Sequence, residues 1–453
     1  MLLSINPATG SEWARHAEQS AEELDQALQR AGEAFGTWAR TPLAMRLERL
    51  EALAWAMQTR REPLAHLAAR EMGKRLGEAQ AELDKCATLC RHLARQMPAD
   101  LADEPVATEA QKSYVRYAPL GPLLGIMPWN FPYWQVFRFA TPAVAAGNVI
   151  LLKHAPNVTG VAREIDALFR MAGFPEGVFQ SLRISVEQTG GVIADFRVRG
   201  VSLTGSTRAG RAVAAAAGAH LKKCVLELGG SDPWIILADA DIEAAIQAGV
   251  KARFQNGGQS CIAAKRFLVD ARVYERFLEG FVEEVHALHP GDPIDPQTSL
   301  APLARDDLRA TLHAQIEDAR RAGAGIPIGG NPLDGPGFFY APTVLTNIRP
   351  GMRVFQEEVF GPAALVFRVE DEREALALAG STPYGLGASV WSRDREHAEA
   401  LAQELPSGMV FVNAPVKSDP RLPFGGIRDS GFGRELGIWG AREFVNVRAV
   451  WIA

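Results

Sequence analysis

From Ala21 to about Gln96 apolar residues recur at helical spacing: Leu24, Leu28, Ala31 and Phe35, then Leu47, Leu50, Leu53 and Met57, with charged residues between them. That period predicts amphipathic helices through the N-terminal stretch. Residues 98–112, PADLADEPVATEAQK, lose the period and gather Pro, Asp and Glu, which predicts a loop leading into a strand at Ser113–Tyr117. Between Leu120 and about Gly230 the short apolar runs LLGIMP, VILLK, VFQSLRI, VRGVSLTG and KCVLELGG alternate with helical stretches, two of them predicted over 133–146 and 159–172. Strict alternation of strand and helix predicts a parallel sheet covered on both faces, a doubly wound, Rossmann-type pattern. A second alternating series opens at Pro233 with WIILAD, passes through a helix over Asp241–Arg253 and the run RFLVD, and continues to about Pro420. The tail AREFVNVRAVWIA, 441–453, predicts a terminal strand. An apolar edge strand needs a partner, so this tail and the 113–117 strand are expected to form a small projecting sheet that joins subunits.

With 453 residues, 47% of them hydrophobic, the chain is too long for one core and divides into about three units. Against 48 basic residues stand 53 acidic ones with no long run of one sign, so neither a nucleic acid nor an anionic membrane is an expected partner. No window has the apolar length of a membrane span, and the opening residues MLLSINPATGSEWARH lack the core of a signal peptide, so a cytoplasmic protein is expected. The four cysteines form neither a disulfide framework nor a Cys/His spacing suited to zinc, and no metal site is expected. Cys86 and Cys90, four apart in a helical pattern, and Cys224, on the KKCVLELGG strand, read as core residues.

Cys261 is the thiol left for chemistry. In FQNGGQSCIAAKR it follows two glycines and small polar residues where the chain is expected to re-enter a helix, and backbone N–H groups there stabilise a thiolate or an oxyanion. Read alone, the segment fits an inert buried thiol as well. Glu227 closes the KCVLE strand, and an acid at the C-terminal end of a parallel strand lies where such sheets bind ligands; burial there would prepare it as a general base. GSTRAG, 205–210, ends one strand and opens a helix without the GxGxxG spacing, yet Gly205 and Ser206 still offer N–H groups and a hydroxyl to a diphosphate. Ser206 equally suits a simple helix cap. In PWNFP two prolines fix the backbone around Asn130, whose amide is a competent oxyanion donor, although a structural turn uses the same residues.

Taken in order, PWNFP, LLKHAPN, TGSTRAG, LELGG, GQSC, EEVFGP and PFGG…SGFGRE resemble the aldehyde dehydrogenase superfamily, and the resemblance covers essentially the whole chain. It implies an α/β fold with an NAD(P)-binding Rossmann-type domain (1–98 and 121–229), a second α/β catalytic domain (230–420) and a small β oligomerisation arm (99–120 and 434–453). It further implies that Cys261 forms a thiohemiacetal with an aldehyde, that Asn130 helps form the oxyanion hole, and that Glu227 activates the water that releases the acid. For the cofactor it points to Trp129, Lys153, Gly205, Ser206, Glu358 and Phe360. Where many NAD-using members carry a Glu three residues after this lysine, Pro156 stands here, so NAD with some use of NADP is expected. Arg138 and Ser418 match residues that pair with the substrate carboxylate in the bacterial succinate-semialdehyde dehydrogenases, and Gln255 replaces a second arginine found in some of them. The implied reaction is oxidation of succinate semialdehyde, with glutarate semialdehyde or another short or aromatic aldehyde as the alternative, in a homodimer or homotetramer. An ester or thioester hydrolase would need Cys261 and Glu227 alone, and a non-catalytic protein would need neither.

Overall fold

The computed structural model describes residues Met1–Ala453. Two sheets organise it. The first has six strands in the order Gly431–Phe432, Lys223–Glu227, Gly200–Thr204, Pro122–Met127, Val149–His154 and Phe179–Leu182, all parallel except for the two-residue edge strand. The second has seven, in the order Gly325–Ile328, Thr343–Thr346, Ala363–Val369, Ala264–Asp270, Asp232–Ile236, Gly387–Trp391 and Met409–Val412, parallel except for the first pair. Strands covered on both faces have no solvent side, and Val149–His154 and Ala264–Asp270 are buried at every position. Alternation sends Ile235 into one apolar cluster of the second sheet, and Trp234 and Ile236 into the other. No helix is long and apolar enough to cross a membrane.

The N-terminal helices form as the 3.6-residue period predicts. Ala21–Trp38 starts at a capping box between Ser20 and Glu23 and buries Ala27, Leu28, Ala31 and Trp38. Leu76–Asp100 buries Cys86 and Cys90 and runs through Pro98, so the predicted loop begins later than expected. Met97, fully buried beside that proline, anchors the last turn in the core. A hairpin of Leu2–Asn6 and Ser11–His16, which the sequence pattern did not suggest, precedes the helices. The terminal strand Val445–Ile452 pairs along its whole length with Lys112–Pro119, and Glu104–Pro105 completes a separate three-stranded sheet.

Two local expectations fail. Cys261 does not open a helix; a 3-10 turn over Gln255–Gly258 precedes it and the strand Ala264–Asp270 follows. Asn256, Gly257 and Gly258 take successive left-handed conformations, with φ of 57°, 64° and 71°, and no helix propagates through such a run. A Cβ on Gly258 would lie 2.2 Å from the Gly361 carbonyl oxygen, so both space and backbone require glycine there. Cys224 is half-buried rather than a full core residue, since its strand is open at the Lys223 end.

Candidate active site

Four neighbouring parallel strands of the first sheet end along one edge, and the segments leaving them build the site. Lys223–Glu227 leads into Leu228–Gly229, Gly200–Thr204 into Gly205–Ser206, and Pro122–Met127 into Pro128–Asn130, while Lys153 lies at the end of Val149–His154. Ligands bind parallel sheets at this edge because strand ends and helix starts leave backbone polar groups unpaired there.

Two cavities meet at Cys261. One, of about 360 Å3, is lined by Trp129, Asn130, Gly205, Ser206, Glu358 and Phe360. The other, of about 470 Å3, is lined among others by Lys85, Trp134, Arg138, Gln255, Ser418 and Phe424. Cys261 and Gln135 line both, so the thiol sits between a chamber of cofactor candidates and a chamber of substrate candidates.

The loop that carries Cys261 is held from several sides. Asn130 Nδ2 donates to the Gln259 carbonyl at 3.0 Å and its Oδ1 accepts from Gln135 Nε2 at 3.1 Å, which fixes the amide and leaves one N–H of Nδ2 unspent. Asn256 Nδ2 donates to the Asn130 carbonyl at 2.7 Å. Fully buried Arg253 donates to the Gly258, Val359, Gly361 and Ala363 carbonyls, tying this loop to the segment that bears Glu358 and Phe360. Lys265 Nζ donates to the Cys261 carbonyl at 2.7 Å and pairs with Glu358 at 3.1 Å. Burial pushes the Cys261 thiol up to about 12, with Arg138 and Lys265 opposing, so this arrangement stores a thiol that needs a base.

Glu227 is 2% exposed and neither carboxylate oxygen has a hydrogen-bond partner. Its side chain packs against Gly425 and does not line either cavity, although Leu228 and Gly229 line the first. Burial holds it well above the usual carboxylate range; Arg138 and Arg434 pull it down and Glu435 pushes it up.

Among the cofactor candidates, Trp129 and Phe360 meet edge to face at 5.9 Å. Ser206 accepts from the Ala209 N–H at 3.3 Å as an N-cap, which leaves its own O–H and the first-turn N–H groups for an anion. Lys153 is buried without an ion-pair partner and lies outside the first chamber. A buried ammonium left alone fits a polar ligand at this edge. Glu358 accepts from the Gly230 N–H at 3.1 Å.

The Arg138 guanidinium, matched in the sequence to a substrate-carboxylate partner, already has a carboxylate of the protein beside it. Every residue of its helix, Trp134–Ala145, is buried, and Arg138 forms an ion pair with buried Glu435 and stacks 4.2 Å from the Phe424 ring centroid. Arg138→Met leaves Glu435 without its counter-ion and is expected to destabilise the protein by about 3–5 kcal/mol, read as a lowered unfolding midpoint. Gln255 is exposed at the rim, while Ser418 is buried and accepts a hydrogen bond from Lys85 Nζ at 2.5 Å. Lys85, Arg253, Lys265 and Gln135 carry no motif and escaped the sequence reading. The signal for Lys85 was the spacing of Glu78, Glu82 and Lys85, which places three charges on one helix face.

Residues 2–450 match the aldehyde dehydrogenase family. A probable succinate-semialdehyde dehydrogenase (NADP+) of Synechocystis sp. is 48% identical over 452 residues, covering 100% of both chains. A succinate semialdehyde dehydrogenase (NAD(P)+) of Escherichia coli is 46% identical over 99% of this chain and 97% of its own. Among solved structures, succinic semialdehyde dehydrogenase from Streptococcus pyogenes, in complex with NADP+, superposes with a TM-score of 0.98 at 37% identity and 100% coverage of both chains.

Proposed function

The chain belongs to the aldehyde dehydrogenase family, and from that premise we propose that it oxidises succinate semialdehyde to succinate with NAD(P)+. The observation that carries this reading is the shared wall at Cys261: one thiol lines a chamber with a buried serine and cations and a chamber at the C-terminal edge of the first parallel sheet. The Cys261 S–H adds across the aldehyde carbonyl: Sγ bonds to the carbon and the thiol proton passes to the carbonyl oxygen beside the free Asn130 N–H, giving a thiohemiacetal that becomes the thioester when its C–H hydride and its hydroxyl proton leave. A nicotinamide cofactor bound in the first chamber supplies the hydride acceptor. Trp129, Gly205, Ser206, Glu358 and Phe360 would hold it, with Lys153 at the neighbouring strand end. Glu227 then turns from its dry niche, takes a proton from water, and the hydroxide attacks the Cys261 thioester; the C–S bond breaks and the carboxylic acid leaves.

Ser418, Arg138 and Gln255 form the wall, back and rim of the substrate chamber. Pro156 offers no carboxylate against a 2′-phosphate, which agrees with relatives named for NADP+ or NAD(P)+. The exposed edge residues Val447, Trp451 and Ile452 of the three-stranded sheet suit pairing of subunits into a dimer or tetramer.

A matrix of kcat/KM over succinate semialdehyde, glutarate semialdehyde, butanal and benzaldehyde, each with NAD+ and NADP+, tests the reading. A charge-assisted hydrogen bond of about 1.5–3 kcal/mol predicts that succinate semialdehyde exceeds butanal by roughly ten- to a hundredfold. Parity between the two would overturn the substrate assignment.

A further inference from the structure

We propose that Lys85 is the cation that recognises the substrate's distal carboxylate, with its ammonium and the Ser418 hydroxyl forming one anion clamp in the chamber that ends at Cys261. The proposal rests on the reading of the substrate as a short aldehyde acid and names the residue that selects it.

The charged groups around the chamber differ in what they have left to give. Arg138 is already neutralised by Glu435. Glu82 is fully occupied, paired with Lys74 and accepting the Tyr133 and Trp134 N–H groups at 2.8 Å. Glu78 accepts from the Asn256 N–H at 3.1 Å, lies 3.9 Å from Arg75, and is driven toward its neutral form by burial. Lys251 and Lys417 are exposed at the mouth. Lys85 alone combines a largely buried ammonium with no carboxylate at ion-pair distance.

Its geometry is that of a half-built salt bridge. Nζ donates to Ser418 Oγ at 2.5 Å and lies 4.1 Å from the Trp134 ring centroid. An ammonium has three N–H donors; the hydroxyl takes one, the indole face attracts the charge, and a donor remains for a ligand. Because Ser418 accepts from Lys85, its own O–H is free to donate to the second oxygen of the same carboxylate. A desolvated charge without a counter-ion is costly, and a carboxylate that enters relieves the cost.

The same environment makes the clamp sensitive to pH. Burial, together with the positive charge of Arg138, lowers the Lys85 ammonium to about 8, while Cys86, Glu82 and Asp419 act in the opposite direction. Below that value the free enzyme carries the cation; above it the clamp is neutral and recognition of an anion fades. Arg138, already paired with Glu435, does not replace it.

The test compares kcat/KM for succinate semialdehyde with kcat/KM for butanal, using the full-length protein with NADP+, across about pH 7 to 9. The ratio cancels the titration of Cys261 and Glu227, which both substrates share. In the wild type the ratio is expected to fall about tenfold as pH rises through the Lys85 transition. Lys85→Gln is expected to lower the ratio at neutral pH by roughly ten- to a hundredfold, mainly through KM for the semialdehyde, and to flatten the profile. Lys85→Arg, which does not titrate in this range, is expected to keep part of the preference and remove the fall. A wild type that prefers the semialdehyde with a ratio independent of pH and of Lys85→Gln would overturn the clamp. A wild type without any preference would overturn the substrate reading beneath it. Should Lys85→Gln not fold, the wild-type profile and Lys85→Arg decide the question by themselves.

Discussion

Cys261→Ala is expected to lower kcat/KM for succinate semialdehyde by about four orders of magnitude or more, because the residue is proposed to carry the substrate through both halves of the reaction. No other thiol can take over. Cys86 and Cys90 are fully buried on the Leu76–Asp100 helix, and Cys224 lies at the far, Lys223 end of its strand. The assay is steady-state formation of reduced cofactor, with thermal unfolding of the same preparation to show that the variant is folded. An alanine variant that kept roughly a tenth of the wild-type rate would remove covalent catalysis from the account, since general acid–base and binding effects would then suffice.

Glu227→Gln is expected to lower kcat by about 10²- to 10⁴-fold, the usual contribution of a positioned general base. The pH dependence follows from the environment. Burial raises the Glu227 carboxyl well above the ordinary carboxylate range, so it is protonated below that raised value and works as a base only above it. Wild-type kcat should therefore rise with pH along an acid limb displaced above that of a solvated glutamate, and the glutamine variant should lack the limb. The carboxyl of Glu227 rests against Gly425 rather than in either chamber, so the same experiment probes its movement. A glutamine variant with wild-type kcat and an intact acid limb would mean that Glu227 stays in its niche and that another group serves the water.

The sequence carried much of the candidate site because the proposed chemistry draws on residues where parallel strands end. Glu227, Gly205, Asn130 and Lys153 each follow or close an apolar run, and the runs are readable by their own pattern. The fold itself was legible through alternation, since a strand buried on both faces has few other ways to be written. What escaped depends on contacts between distant segments. Nothing near Arg138 in the chain announces Glu435, yet that contact turns a free cation into a neutral pair. The backbone around Asn256–Gly258 was mistaken for a helix start because two glycines and a serine suit either element, and only the close approach of Gly361 selects the turn. Lys85 was hidden among the charges of an amphipathic helix, where a lysine ordinarily faces water. Here the helix face that carries it closes over Trp134 and Ser418.

The most direct test of the account is a single-turnover experiment on Glu227→Gln, mixed rapidly with saturating succinate semialdehyde and NADP+ and then digested for peptide mass analysis. The account predicts a burst of one equivalent of reduced cofactor per subunit, slow turnover afterwards, and a succinyl group on the peptide that contains Cys261. Absence of the burst together with an unmodified Cys261 peptide, in a variant that still binds NADP+, would contradict the proposed thioester.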